Sequence, residues 1–563
     1  MTRNALRVAT SVLLVLAASC ATPAPAAPQA PHNVIIFVAD GLRYGSVNDA
    51  DAPAMAALRR DGVDFANSHS IYPTLTTVNA AALATGHSPG DSGNFGNTIY
   101  PDEPPLPHGG GSHVAGLEDD AILDDMDERF GGNYLHERGL LAAARAHGYD
   151  VASIGKTGPT GIQERALPNG GEALLIDEDL GAPGRPTLPA DLAPLMAAAH
   201  LAQTPPARAL LNRPQQDWFA GVAADVLIPR FRASRRPFVM VFWSPDPDST
   251  QHSQSDSPNA LTPGINGPSS RAAIAGASRD LQRLRDALTA NHLDATTDII
   301  VIADHGFATI SKQSRTSYAA SLSYRDHAAG ELTPGFLAID LSHALSLGLF
   351  QANGAPWPTD QAPRGGNALL GNDVGHPNVV VTANGGSDLI YLPQGDAESL
   401  APRIVQFLTT QDYVGAIFVA DHFGPIPGAL PHSSINLTGA ALTPQPAIVV
   451  SFRSFDTGCG VPEMCAAEIA DTSLGQGQGM HGSLSRAETH NFMAAIGPDF
   501  RARFVDPAPV SNADIPVTVA HILGLDAPSD GQLRGRVIAE ALPSGGASAF
   551  TADIVRSAPA ANG

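Results

Sequence analysis

Three runs of unbroken apolar, largely β-branched residues constrain this chain most: 33–39 (NVIIFVA), 238–243 (FVMVFW) and 298–303 (DIIVIA). A strand that is apolar at nearly every position must be covered on both faces, which is the signature of parallel strands inside an α/β sheet. The run 447–452 (AIVVSF) reads the same way, and 149–154 is a weaker candidate. Helical patterns fall between these runs. Residues 140–147 lead up to Tyr149, and 270–288 place Ile274, Leu281, Leu284 and Leu288 on one face ahead of the 298–303 run. The sequence therefore predicts an α/β fold with a mainly parallel central sheet flanked by helices. No internal repeat interrupts it.

Each of the three strong runs stops at an acid. Asp40 ends the first in FVADGLR, Asp248 and His252 follow the second in SPDPDSTQH, and Asp304 and His305 follow the third in ADHG. The carboxyl edge of an open α/β sheet is where sites assemble. Two further residues join them. Thr76 in PTLTTVNAAALATG precedes a helical run starting near Val78, where the dipole and free N–H groups favour an alkoxide and a bound phosphoryl oxygen. His481 in GQGQGMHGSLSR sits between glycines that allow close backbone approach.

Taken singly, each has an ordinary explanation: an Asp-Gly turn, an N-cap threonine, a packed histidine. Taken together, carboxylate and imidazole donors without a thiolate point to two Zn²⁺ ions in an open catalytic site. Mn²⁺ or Fe are the alternatives, and three imidazoles disfavour Ca²⁺. Two cations ~4 Å apart clamp the attacking and leaving oxygens of an in-line displacement at phosphorus. A Thr76 alkoxide between them would form a phosphothreonine that water then displaces.

At this level the ordered set VADG, PTLTTVN, PDSTQH, ADHG and MHGS resembles the alkaline phosphatase superfamily, and within it the type I phosphodiesterase/nucleotide pyrophosphatase branch. The resemblance runs from about 33 to 542 and includes the tail VSNADIPVTVAHILGL with GRVIAEAL. It implies one zinc held by Asp40, Asp304 and His305 with Thr76 as its reactive ligand, and a second held by Asp248, His252 and His481. It implies that Asn97, in SGNFGNTIY, contacts a phosphoryl oxygen, although a turn asparagine reads equally well there. The implied activity is hydrolysis of a small-molecule phosphate ester, a diester or pyrophosphate by preference.

Two departures bear on substrate. The branch usually reads TFPNH where this chain has TTVNA, and the aromatic candidates for a nucleotide-stacking slot are Phe95, Tyr100 and Trp243. Lys156, in SIGKTGPTG, resembles a lysine with which Thr-dependent alkaline phosphatases grip the extra charge of a monoester, but the arginine expected two residues later is Gly158. A phosphomonoesterase is therefore the alternative, and a solvated lysine is the plain reading. A sulfatase would need a C/S-x-P-x-R nucleophile, which is absent. An inactive metal-binding surface lipoprotein would show a damaged ligand set, and none is seen.

Composition sets the remaining limits. With 55 acidic against 33 basic side chains the net charge is −22, so no nucleic-acid-binding surface is expected. Arg3 and Arg7, the apolar run 8–18 and the Pro/Ala-rich stretch 21–31 read as an export signal and spacer, placing the protein in the periplasm or outside the cell. Cleavage near Ala26 and lipid anchoring at Cys20 both fit, the latter being the one expected link to a membrane. Cys459 and Cys465 then form a local disulfide. The expected organisation is a signal and spacer at 1–30, a catalytic domain at 31–542 with loop and cap insertions at about 101–138 and 324–383, and a flexible tail at 543–563.

Overall fold

The computed structural model describes residues 32–165, 174–182, 185, 187–327, 329–526 and 529–560. The export signal and Cys20 lie outside the described residues. In chain order the strands that matter are β1 (Asn33–Ala39), β2 (Val63–Phe65), β3 (Asp150–Gly155), β4 (Leu174–Asp177), β5 (Phe238–Ser244) and β6 (Thr297–Ile302). They continue as β7 (Leu349–Gln351), β8 (Ala368–Leu370), β9 (Val379–Asn384), β10 (Ser387–Tyr391), β11 (Val414–Val419), β12 (Leu430–Pro431), β13 (Ile448–Phe452), β14 (Met493–Ile496) and β15 (Phe504–Asp506). The helices used below are α1 (Thr76–Thr85), α2 (Leu140–Ala146), α3 (Asp248–Ser253), α4 (Pro268–Ala290), α5 (Phe336–Leu345) and α6 (Asp514–Leu523).

The central sheet has eight strands in the order β15-β2-β14-β6-β1-β5-β3-β4. All neighbours are parallel except those of β14, which runs antiparallel to β2 and β6. The expected α/β sheet is present, and the full burial of β1, β5 and β6 accounts for their unbroken apolar sequences. Because successive side chains point to opposite faces, β1 feeds two cores. Val34, Ile36 and Val38 pack with Ala81 and Leu83 of α1, Leu140 and Leu141 of α2, and Ile515 and Val519 of α6. Ile35 and Phe37 pack with Ile274, Leu281, Leu284 and Leu288 of α4 on the other face. Each such aliphatic side chain contributes about 1.5–3 kcal/mol when fully buried.

The run 447–452 requires a correction. It forms a strand, β13, but in a second sheet of seven strands ordered β7-β8-β9-β10-β13-β11-β12, antiparallel throughout except for β11 with β12. The stretch 324–383, read from sequence as loop and cap, carries α5, β7, β8 and most of β9, and so builds one end of this sheet. Residues 101–138 likewise hold a helix, Asp120–Arg129. Short strands parted by Gly and Pro give no periodic signal to read. The helix expected near Val78 begins at Thr76 itself. Cys459 and Cys465 form the expected disulfide. Among the described residues, no helix is long and apolar enough to cross a membrane.

Candidate metal centre and active site

Sheet order explains the convergence of residues that are far apart in sequence. β1 is hydrogen-bonded to β6 on one side and β5 on the other, with Val38 opposite Ile302 and Ala39 opposite Ser244. The three strands end level, so Asp40 emerges between Asp304–His305 and the turn leading to Asp248. Backbone bonds fix the arrangement: Asp248 N donates to Asp40 O (3.0 Å) and Asp40 N to Ser244 O (3.2 Å). Gly41 has a φ of +72°, and a Cβ there would meet the Phe307 ring and Asp248 Cα. Only glycine lets the two loops approach so closely.

Asp40, Asp248, Asp304, His305, His481 and Thr76 are buried, and His252 is partly so. Among these, two groups bring three ligand atoms close enough for one ion: Asp248 with His252 and His481, and Asp40 with Asp248 and His305. His305 Nε2 lies 3.2 Å from Asp304 Oδ2 and 3.6 Å from Asp40 Oδ1. Thr76 Oγ1 is 3.2 Å from the same Nε2. Around Asp248 Oδ1 stand His252 Nε2 at 3.0 Å and His481 Nε2 at 3.5 Å.

The donor chemistry of this cluster is lopsided. Asp40 Oδ2 accepts from Trp243 Nε1 (2.8 Å) and Lys156 Nζ (3.0 Å), Asp248 Oδ2 from Lys156 Nζ (3.1 Å), and Asp304 Oδ1 from Gly41 N (3.0 Å) and His305 N (2.9 Å). The other oxygen of each, Asp40 Oδ1, Asp248 Oδ1 and Asp304 Oδ2, is buried without a hydrogen bond. The histidines show the same division. Nδ1 of His305, His252 and His481 donates to the carbonyls of Gly306 (2.8 Å), Gly479 (2.9 Å) and Thr74 (2.8 Å). This fixes the tautomer and turns each Nε2 lone pair inward. Acceptor therefore faces acceptor at 3.0–3.6 Å. Such a set is satisfied by cations lying between the atoms, and its residue types fit zinc.

Burial and charge crowding shift these groups. Burial, with the neighbouring Asp248 and Asp304, pushes the Asp40 carboxyl well above the usual range. Burial raises Asp304 to about 7. At Asp248 a proton on His252 stands in for the cation: burial acts on the carboxyl in the same sense as before, but the His252 charge, itself favoured by Asp248, and Lys156 outweigh it and hold that carboxylate well below the usual range. Burial lowers His305 and His481, which keeps them neutral with lone pairs available.

Asn97 lies beside the nucleophile candidate: its Oδ1 accepts from Thr77 N (2.9 Å) and Thr77 Oγ1 (3.1 Å) at the first turn of α1. Lys156 enters the centre as well, but its Nζ lies between Asp40 and Asp248, with Glu118 Oε1 3.4 Å away. The stacking candidates need correction. Trp243 and Phe95 are fully buried and Tyr100 is 3% exposed, packed on Tyr391, so none of them offers a face to a nucleotide base. Trp243 instead orients Asp40, a role that its place in an apolar strand conceals.

A sequence model of the type I phosphodiesterase / nucleotide pyrophosphatase family matches residues 34–326, just over half of the 563-residue chain. The chain belongs to that family. It is accordingly a hydrolase of the phosphodiesterase/nucleotide pyrophosphatase class. Among solved structures it is similar to murine ectonucleotide pyrophosphatase / phosphodiesterase 5, with TM-score 0.53 and 14% identity over 89% of this chain and 97% of the other. The human protein of the same name gives TM-score 0.53 and 14% identity over 91% of this chain and 100% of the other. An inactive form of the murine protein in complex with AMP gives TM-score 0.50. At this identity the likeness establishes the fold. No curated protein matches the sequence.

Proposed function

We propose that this chain is an exported phosphodiesterase/nucleotide pyrophosphatase that works at a two-zinc site through a phosphothreonine at Thr76. The observation that carries the reading is the set of three buried aspartates, each with one oxygen held by protein donors and the other facing imidazole lone pairs. Asp40, Asp304, His305 and Thr76 would hold one ion, and Asp248, His252 and His481 the other. Bound there, the ions would lower the pKa of the attacking hydroxyl and neutralise charge on the attacking and leaving oxygens.

The residues do the rest. Thr76, as the first residue of α1, presents its Oγ at the positive end of a ten-residue helix. That hydroxyl gives up its proton, its oxygen attacks phosphorus, the Thr76 O–P bond forms, and the ester oxygen departs with its electron pair and takes up a proton. Water then attacks the same phosphorus from the vacated side, the Thr76 O–P bond breaks, and the hydroxyl is restored. Two inversions give net retention. Asn97, its carbonyl oxygen pinned by Thr77, is left with its amide group for a non-bridging phosphoryl oxygen. Lys156 directs its ammonium to Asp40, Asp248 and Glu118, so the extra charge of a monoester would have to compete with three carboxylates. This favours a diester. The AMP bound to the murine relative supports a nucleotide-type ester.

The test is turnover of bis-p-nitrophenyl phosphate and p-nitrophenyl phosphate by zinc-loaded protein, with Thr76→Ala alongside. The expected result is a faster diester reaction and a variant that keeps zinc but loses turnover. A faster monoester reaction that Lys156→Ala abolishes would establish the phosphomonoesterase instead. An inert wild type would overturn the reading.

A further inference from the structure

The proposed mechanism leaves one buried acid unused. Glu488 is fully buried, and its carboxylate accepts four hydrogen bonds: from Gly482 N (2.7 Å), Ser483 N (2.6 Å), Ser483 Oγ (2.7 Å) and Thr74 Oγ1 (3.0 Å). Gly482 and Ser483 directly follow His481. Thr74 precedes Thr76 by two residues, and its carbonyl takes the Nδ1 proton of His481 (2.8 Å). The backbone carbonyl of Glu488 completes the set, accepting Gly306 N (2.7 Å) immediately after Asp304 and His305, and Ser70 Oγ (2.9 Å). One residue thus ties together the three segments that carry Thr76, His305 and His481.

The surroundings are built to keep it there. Glu468 is fully buried beside Glu488, and burial, with the neighbouring Glu488, pushes its carboxyl well above the usual range. Gly386 closes the pocket: its N donates to His481 O (2.8 Å), and a Cβ on it would meet Ser483 N at 2.6 Å and Glu468 Oε2 at 2.9 Å. The second sheet also grips the loop, through Ser451 Oγ, which accepts Leu484 N (3.1 Å), and Ser387 Oγ, which donates to Gly482 O (2.6 Å). Glu488 is the acid at the centre of these contacts. Three of its donors converge on Oε2 and Ser483 Oγ on Oε1, so an amide would keep one acceptor oxygen but lose the charge that strengthens these bonds.

We propose that Glu488 is a positioning residue for the metal centre, fixing the His481 loop and the turn before Thr76 so that both face the ions. The inference rests on the two-metal reading above. Outer partners of metal-binding histidines typically contribute about 10- to 100-fold in metal affinity when they are removed. Glu488→Gln preserves size while replacing one acceptor oxygen with a donor.

Cobalt(II) titration of metal-free full-length protein, followed by visible absorption, gives stoichiometry and affinity without turnover. Wild type is expected to bind two cobalt ions. Glu488→Gln is expected to keep the first and to bind the second about 10- to 100-fold more weakly, with an altered absorption band. Two tight ions and an unchanged spectrum in Glu488→Gln would overturn the proposal and leave the functional reading intact. A wild type that binds fewer than two would overturn both. If circular dichroism shows Glu488→Gln unfolded, Thr74→Val and Thr74→Ser decide: weakened binding in the first, restored in the second, supports the proposal, and wild-type binding in Thr74→Val overturns it.

Discussion

Replacing Lys156 with methionine separates the metal-free from the metal-loaded state. In the structure its ammonium stands 3.0 Å from Asp40 Oδ2 and 3.1 Å from Asp248 Oδ2, in a setting where the lysine side chain is 8% exposed. Removing one partner of a buried ion pair typically costs about 3–5 kcal/mol, because the remaining charge stays buried and unpaired. Asp40, already pushed well above the usual carboxylate range by burial, can take up a proton and limit the loss to the lower end, about 3 kcal/mol. With an unfolding entropy of about 2.1 cal/mol/K per residue, that lowers Tm by roughly 3 °C in a chain of this length. With zinc bound, each carboxylate would have its own cation beside it, and the deficit is expected to shrink below about 1 °C on the same scale. Thermal denaturation of wild type and Lys156→Met, each with EDTA and with excess zinc, measures all four values. Equal Tm losses in the two conditions, or none without metal, would refute the argument that Lys156 balances the charge of the metal ligands.

Other perturbations follow from the same geometry. A Cβ at Gly306 would lie 2.0 Å from Ala487 O and 3.0 Å from Glu488 Cα, so Gly306→Ala must push the Asp304–His305 turn aside; it is expected to lose about 1–3 kcal/mol by urea denaturation and to bind less zinc by elemental analysis. His432 is fully buried, and burial lowers it to about 4. The folded state keeps it neutral while the unfolded chain takes up the proton near pH 6.5, so its contribution is present above pH 6.5 and is lost as pH falls towards 4, by about 3 kcal/mol in total. His432→Gln is expected to flatten that slope in urea midpoints measured from pH 7 to 4, and an unchanged slope would contradict it.

What the sequence discloses follows from how each feature is held. β1, β5 and β6 are buried on both faces, so their apolar runs are legible and their ends mark Asp40, Asp248 and Asp304 at once. Of the second sheet only β13 stands out as an apolar run, and β7 and β8, with three residues each, are too short to show a period. Trp243 hides as one more apolar residue of a buried strand, although its Nε1 orients Asp40. Glu488 is concealed differently. Ser485-Arg-Ala-Glu488 reads as a capping box, and Ser485 does cap the short helix, accepting Ala487 N, while the glutamate turns towards Gly482 and Ser483 instead. Lys156 reads as a charge near the site, but its partners come from the ends of β1 and β5, a proximity that sheet order alone supplies.

Anomalous diffraction at the zinc edge, from crystals of the zinc-loaded protein, tests the central claim most directly. Two peaks are expected, one among Asp40, Asp304, His305 and Thr76 and the other among Asp248, His252 and His481. A single peak, or ions bound away from these seven side chains, would contradict the account.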